Sequence, residues 1–291
     1  MNDILLYSLI VLGVLGGVLA VILYIVAQKF KVEENPLIDE VESNLSGANC
    51  GGCGFAGCRA FAEACVKSAA DKGNIDGLNC TSSDMSKVAA VLGLTVTAAE
   101  PKIAVVRCNG TCENAPKKVH YEGAEICAFA HTLYAGSNGC PNGCLGLGDC
   151  VKKCNFDAIH IDEVTGLPTV DEEKCVGCGA CTKACPRGVI EIRPKGKNSR
   201  RVYVSCVNIE KGAIAMKNCN VSCIGCQKCF KECPFEAIEM RGNLAYINPD
   251  KCKSCRKCVD VCPRGSILAV NFPPRKPKVE VTESVNNESK E

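Results

Sequence analysis

A twelve-residue cysteine pattern occurs three times in this chain, and it limits the possible folds more than any other feature. The pattern is C-x2-C-x2-C-x3-C-P, and its copies begin at Cys175, Cys223 and Cys252. Three thiolates on one tight loop suit one four-iron cubane, and the fourth suits a neighbouring cubane. Each copy is followed by a turn and a short apolar run, which predicts a strand. The repeats therefore predict modules that each hold two iron–sulfur clusters.

Pairing the copies predicts the ligands of the C-terminal module. The two ligand sets are Cys223, Cys226, Cys229 and Cys262, and Cys233, Cys252, Cys255 and Cys258. An earlier, degenerate copy aligns with this half at a shift of 79 residues, without a gap. The aligned cysteines are Cys127, Cys140, Cys144, Cys150 and Cys154, which fall on Cys206, Cys219, Cys223, Cys229 and Cys233. The alignment predicts an internal duplication.

The degenerate copy departs from the pattern at two positions. Leu147 occupies the position of Cys226, and Asn155 replaces the proline. One standard ligand is therefore absent, and Cys140 is the predicted substitute. The ligand sets predicted for the first module are Cys140, Cys144, Cys150 and Cys185, and Cys154, Cys175, Cys178 and Cys181.

The stretch from Asn49 to Cys65, NCGGCGFAGCRAFAEAC, supports two interpretations. Its glycines match G-x-G-x-x-G, but a dinucleotide fingerprint follows a strand, and the apolar residues upstream have helical spacing. Its cysteines indicate a cluster with ligands Cys50, Cys53, Cys58 and Cys80, since glycines let a chain fold back around a metal centre. A structural zinc site is the rival, although zinc usually takes paired C-x2-C knuckles. Cys65 is predicted to be a buried apolar residue.

Five further cysteines leave the number of clusters open. Cys108, Cys112 and Cys127 are candidate ligands of a sixth cluster, with Cys206 or Cys219 as the fourth ligand. The alternative is a set of buried thiols that flank the other clusters. The sequence thus predicts five or six [4Fe-4S] clusters.

An uncharged stretch of 24 residues, Ile4–Ala27, is long enough to span a bilayer. It lacks the basic start and short apolar core of a cleaved signal peptide. Lys29 and Lys31 follow it and no basic residue precedes it, which predicts a single-pass anchor with the cluster domains on the cytoplasmic side of the cell (inner) membrane. Because the cytoplasm is reducing, the thiols are expected to bind metal and not to form disulfides.

Composition narrows the function further. The 291 residues include 26 cysteines and carry a formal net charge of +2. Each bound four-iron cluster adds roughly two negative charges, which removes the electrostatic basis for nucleic-acid binding. The histidines, His120, His131 and His160, belong to no recognisable catalytic constellation, and no nicotinamide or flavin motif is visible. The chain is expected to carry electrons and not to perform substrate chemistry.

The predicted fold class is α+β. It comprises a single N-terminal transmembrane helix, a small helical one-cluster [4Fe-4S] domain and tandem bacterial two-cluster ferredoxin-like modules. The predicted boundaries are 1–28 for the anchor, 29–100 for the one-cluster domain, 101–195 and 196–271 for the two modules, and 272–291 for a disordered tail.

This order of parts resembles the B subunit of the Rnf complex, an ion-translocating ferredoxin:NAD oxidoreductase, and the resemblance covers nearly the whole chain. It implies an iron–sulfur subunit that takes electrons from soluble ferredoxin and passes them into the membrane complex, with the other Rnf subunits and the bilayer, through residues 4–27, as partners. It implies the longer form with duplicated modules. The alternative is an iron–sulfur relay subunit of another membrane enzyme, such as a hydrogenase or formate dehydrogenase.

Overall fold

The computed structural model describes residues 2–29, 35–75, 77–94, 100–133 and 136–274. In the first helix it describes the side chains of residues 7, 10–26, 28 and 29. Most of the predicted tail therefore lies outside the described residues.

The first helix, α1 (Asn2–Lys29), carries the apolar stretch. Its described large apolar side chains, such as Leu12 and Leu23, are exposed. Among the described residues, no helix qualifies as long and apolar enough to cross a membrane. The anchor predicted over residues 4–27 is therefore not supported by the structure.

Three helices form the N-terminal domain: α2 (Pro36–Ser43), α3 (Cys58–Lys72) and α4 (Met85–Val91). Helices α2 and α4 have polar N-cap residues, Asn35 and Asp84, whose side chains each accept a backbone N–H of the first turn. Helix α3 ends at Lys72 and is capped by Gly73, whose left-handed backbone (φ 67°) suits glycine. Phe61 is 1 % exposed at the centre of the core that the three helices share.

The remaining chain folds into two modules of the same plan, which confirms the α+β prediction for this part. Each module has two antiparallel strand pairs and two short helices beside the cysteine loops. The first module contains β1 (Lys102–Val106), α5 (Cys127–Leu133), α6 (Asp149–Lys152), β2 (Ile159–Ile161), β3 (Pro168–Val170), α7 (Ala180–Ala184) and β4 (Ile190–Pro194). The second contains β5 (Arg201–Val204), α8 (Gly212–Asn218), α9 (Lys228–Glu232), β6 (Ile238–Arg241), β7 (Leu244–Ile247), α10 (Lys257–Asp260) and β8 (Ile267–Val270).

In each module the first strand pairs with the last. Strand β1 pairs with β4 and β5 with β8, while β2–β3 and β6–β7 are the inner pairs. The strands predicted after the cysteine patterns, β4, β6 and β8, are confirmed. Because β1 and β5 occupy equivalent positions, Cys108 corresponds to Cys206. The gapless alignment of Cys127 with Cys206 is wrong, since the first module has 19 more residues between its first strand and Cys140 than the second has before Cys219.

A partly buried polar network joins the two modules. Glu191 accepts a hydrogen bond from Arg107 (Nη1–Oε2, 3.0 Å) and one from the hydroxyl of Tyr246 (2.6 Å). Arg193, only 2 % exposed, donates to the backbone oxygen of Ile247 at 3.0 Å. Charged hydrogen bonds of this kind have narrow geometry, so the network fixes how the modules sit on each other.

Candidate iron–sulfur centres

The four N-terminal cysteines predicted as ligands, Cys50, Cys53, Cys58 and Cys80, form site 1. Cys58 and Cys80 are buried in one core, and Cys53 packs against it. The backbone N–H of Cys58 donates to the side chain of Asn49 at 2.7 Å, which closes the loop that precedes α3. That loop folds back through left-handed backbone at Gly51 and Gly54.

Cys65 lies beside site 1 and is fully buried. Burial raises the pKa of its thiol to about 11, and the nearby thiols of Cys80 and Cys53 add to the shift. It is therefore a neutral thiol at physiological pH. That Cys65 is a core residue and not a ligand stays a prediction.

Site 2 comprises Cys154, Cys175, Cys178 and Cys181, the set that the sequence predicts. Burial is the main cause that raises the pKa of Cys181 to about 12, and the nearby thiols of Cys175 and Cys178 add to the shift. Backbone N–H groups already point at two of the sulfurs: Ala104 donates to Cys175 Sγ at 3.5 Å and Ala158 to Cys154 Sγ at 3.4 Å. Such N–H···S bonds stabilise thiolates and tune clusters.

The N-terminal domain docks directly on site 2. A Cβ atom at Gly52 would lie 2.4 Å from the backbone oxygen of Cys178, so only glycine allows this approach. Asn155, which replaces the expected proline, donates to the backbone oxygen of Ala48 at 3.2 Å. This departure from the repeat therefore serves the contact between domains.

Site 3 differs from the predicted set in one member. Its cavity is lined by Cys127, Cys144, Cys150 and Cys185, and Cys127 lies where Cys140 was expected. Cys127 begins helix α5, and the N–H of Ala128 donates to the side chain of Asp149 at 3.0 Å, which holds α5 against α6. The segment inserted before Cys140 thus brings a fourth cysteine, Cys127, to this cavity.

Site 4 lies between the two modules. Its cavity is lined by Cys108 and Cys140 of the first module and by Cys206 and Cys219 of the second, and Cys144 of site 3 also reaches it. The predicted sixth set placed Cys108 with Cys112 and Cys127. The structure instead leaves Cys112 exposed, lining a separate cavity, and places Cys127 in site 3.

The two halves of site 4 have matching hydrogen bonds. Cys108 Sγ accepts the N–H of Cys144 at 3.4 Å, and Cys206 Sγ accepts the N–H of the equivalent Cys223. Cys140 and Cys219 each accept backbone N–H groups from the residues two and three positions later. A duplicated half-site therefore meets its copy across the interface.

An arginine stands behind each half of site 4, and sequence reasoning overlooked both. Arg187 donates to the backbone oxygens of Gly143 (2.7 Å) and Cys140 (3.3 Å), and Arg264 donates to that of Cys219 (3.2 Å). Burial lowers the pKa of Arg187, while the thiols of sites 3 and 4 raise it. The repeated Cys-Pro-Arg-Gly at residues 185–188 and 262–265 was the available signal.

The second module contains site 5 and site 6, the two sets that the sequence predicts. Site 5 is a cavity lined by Cys223, Cys226, Cys229 and Cys262. In site 6, burial is the main cause that raises the pKa of Cys258 to about 12. The nearby thiols of Cys252, Cys255 and Cys233 add to the shift. The loops turn through left-handed backbone at Gln227 and Arg256, directly before α9 and α10.

Neighbouring sites lie close together, because thiols of one site raise the pKa of thiols in the next or accept its backbone N–H groups. Cys50 of site 1 perturbs Cys178 of site 2, and Cys150 of site 3 perturbs Cys181 of site 2. Cys144 and Cys223 donate their N–H groups into site 4 from sites 3 and 5. Cys229 of site 5 perturbs Cys258 of site 6. These contacts link each site to the next one in the numbering.

The donor set fits four-iron clusters. A thiolate in apolar surroundings is unfavourable without a cation, and the raised pKa values of Cys144, Cys181 and Cys258, each about 12, measure that cost. In the described part of the chain, no three His, Cys, Asp or Glu side chains converge closely enough for a single metal ion. A cubane is wider than one ion, so its four thiolates stand farther apart.

Three family models match the chain in the same regions. Residues 45–74 match a putative Fe–S cluster family, residues 168–191 a 4Fe-4S binding domain, and residues 222–266 a 4Fe-4S dicluster domain. These matches cover loops of site 1, site 2 and the second module.

Three known proteins are similar to this chain over most of its length. In Acetobacterium woodii, the B subunit of the Na⁺-translocating ferredoxin:NAD⁺ oxidoreductase complex is 43% identical over 88% of this chain and 75% of its own length. In Methanosarcina acetivorans, the B subunit of the ion-translocating oxidoreductase complex is 42% identical over 92% of this chain and 99% of its own. In Clostridium ljungdahlii, the B subunit of the proton-translocating ferredoxin:NAD⁺ oxidoreductase complex is 40% identical over 90% of this chain and 91% of its own length.

Proposed function

This chain belongs to the B-subunit family of the ion-translocating ferredoxin:NAD oxidoreductase (Rnf) complexes, and from that premise we propose that it relays electrons from soluble ferredoxin along six cluster sites. It is an iron–sulfur electron-transfer subunit of a redox-driven ion-translocating complex. Its partners are the other subunits of that complex. The six ligand sets, the ferredoxin donor and the membrane attachment are the proposed details.

The unbroken row of sites carries the proposal. Sites 2 and 3 belong to one module and sites 5 and 6 to the other, and site 4 spans the gap between them. Without a cluster in site 4, no cluster would connect the two sites of one module to the two sites of the other. With it, the chain offers a continuous path from site 6 to site 1.

The residues around each site prepare it for negative charge. When bound, a [4Fe-4S] cluster supplies one-electron redox chemistry. The backbone N–H groups of Ala104, Ala158 and Cys144 stabilise thiolate charge. Arg187 and Arg264 add positive charge on either side of site 4, whose four proposed ligands are buried or half-buried.

Alanine substitutions at Cys127 and Cys140 test the ligand assignment. We expect the native chain to hold about 24 irons and each variant to lose about four, because each substitution removes one ligand of a different cluster. Electron paramagnetic resonance should show a different cluster missing in each variant. Cys112→Ala and Cys65→Ala are the matched controls and should keep the full iron content.

The assignment has a clear competitor. If Cys127→Ala keeps all its iron while Cys140→Ala loses the cluster held by Cys144, Cys150 and Cys185, the set predicted from the alignment is right. Iron near ~20 in the native chain would argue for five clusters and against site 4.

Membrane attachment is proposed through residues 4–27, with the cluster domains on the cytoplasmic face. The support is the uncharged apolar sequence followed by Lys29 and Lys31. Deleting residues 1–28 should release the chain from washed membranes while its visible spectrum is retained. A truncated chain that stays membrane-bound without the other subunits would contradict the proposal.

A further inference from the structure

Two cysteines of the six sites are exposed, and both belong to the second module. They are Cys226 of site 5 and Cys255 of site 6; all other members of the six sets, which lie wholly within the described residues, are buried or half-buried. An electron that arrives from a separate protein must cross at a place where a cluster approaches the surface. The exposed ligands mark that place.

The loops that carry these two ligands are strongly basic. Residues 224–231 and 251–257 contain six basic residues and no acidic residue, and they form what we call the basic face. Its exposed charges include Lys228, Lys253 and Lys257. Helices α9 and α10, which begin in these loops and continue to the exposed Glu232 and Asp260, contact each other, so the two loops form one surface. Phe230, 47% exposed, supplies an apolar side chain among the charges.

The equivalent surface of the first module is neither free nor basic. Its loops, residues 145–152 and 174–180, contain two basic residues and one acidic residue. Gly52 of the N-terminal domain lies against Cys178, the counterpart of Cys255. At the position of Cys226 stands Leu147, beside the inserted segment that carries Cys127. An iron–sulfur domain of the same chain thus occupies the place that the second module leaves open.

We infer that the basic face is where an acidic, soluble two-cluster ferredoxin docks, in the position that the N-terminal domain occupies on the first module. The inference rests on the proposed ferredoxin donor and adds the surface and the end of the row that it uses. Opposite charges steer weak redox partners together, and a small exposed apolar centre completes such interfaces. Site 6 and site 5 then receive the electron, and site 1 is the far end of the row.

A charge-reversal experiment on the full-length chain tests the inference. The triple variant K228E/K253E/K257E changes the basic face, and K67E/K72E/K87E is the control, with the same charge change at exposed lysines of the N-terminal domain. Binding of an oxidised, acidic two-[4Fe-4S] ferredoxin is measured by calorimetry over a range of salt concentrations. Reduction by dithionite and the iron content check that both variants keep their clusters.

The expected result is a dissociation constant raised about tenfold or more at low salt for the face variant, and by less than about twofold for the control. The difference should shrink as salt rises, because screening removes the steering charge. Equal binding by the face variant and the native chain would overturn the docking surface alone. If ferredoxin neither binds nor reduces the native chain, the proposed donor itself is wrong, and the docking surface with it.

Discussion

Replacing Arg187 by methionine removes one positive charge from between site 3 and site 4. Arg187 lines the cavity of site 3, and its guanidinium donates to Gly143 and Cys140 beside site 4. Methionine keeps a long apolar side chain but carries no charge. The variant therefore removes the charge and its hydrogen bonds to Gly143 and Cys140 but keeps a side chain of similar length in the cavity.

The size of the effect follows from Coulomb's law. A guanidinium on the order of 7 Å from a cluster, at an effective dielectric constant of about 20, stabilises an added negative charge by about 2.4 kcal/mol. For a one-electron couple this equals about 100 mV. Because the reduced cluster carries the extra negative charge, loss of Arg187 should lower the midpoint potentials of sites 3 and 4 by up to that amount.

Anaerobic redox titration followed by electron paramagnetic resonance measures these potentials. Arg264→Met, the equivalent change in the second module, should instead lower the potentials of sites 4 and 5. Arg200→Met is the matched control, since Arg200 is exposed and its charge is screened by water and salt. Potentials that move by less than about 20 mV in Arg187→Met, or that rise, would refute the electrostatic argument, provided that the iron content is unchanged.

Two further predictions concern the docking of domains and the thiols. In Gly52→Ala, the new Cβ would lie 2.4 Å from the backbone oxygen of Cys178, so the N-terminal domain should separate from the first module. Faster hydrogen exchange at residues 48–54 and slower transfer to site 1 would show this, and native exchange there would contradict it. Burial raises the pKa of Cys144, Cys181 and Cys258 to about 12, from about 9 in the unfolded chain. Between about pH 9 and pH 12 the unfolded chain has released protons that the folded chain keeps, so the free energy of unfolding of the iron-free chain should fall as pH rises. Urea denaturation at about pH 8 and about pH 10.5 measures the change, and equal stability at both would contradict it.

Local spacing groups the cysteines of the complete repeats into the same sets that the structure brings together. In sites 5 and 6, three cysteines come from one short repeat. The fourth comes from the other repeat, which the antiparallel pair β6–β7 brings back beside the first. In these cases, the information lies within a few residues of the cysteines themselves.

Sites 3 and 4 could not be assigned from spacing, because their membership depends on tertiary structure. Cys127 reaches site 3 only because the inserted segment folds back and Asp149 holds the start of α5. Cys108 and Cys206 meet only because the outer strand pairs of both modules bring them to one interface. An alignment without gaps matched Cys127 to Cys206, since an insertion is invisible when cysteines happen to align across it.

The duplication explains why site 4 exists at all. Each module contributes only two sulfurs to the proposed ligand set, Cys108 and Cys140 or Cys206 and Cys219, and two sulfurs do not complete a four-ligand site. The site therefore depends on the orientation of the modules, which the partly buried contacts of Arg107, Glu191 and Tyr246 fix. Arg107 also donates to the backbone oxygen of Cys206 at 3.4 Å, so one side chain belongs to both the interface and the site. The polar network between the modules thus maintains the connection between the two halves of the row, although none of its residues is a proposed ligand.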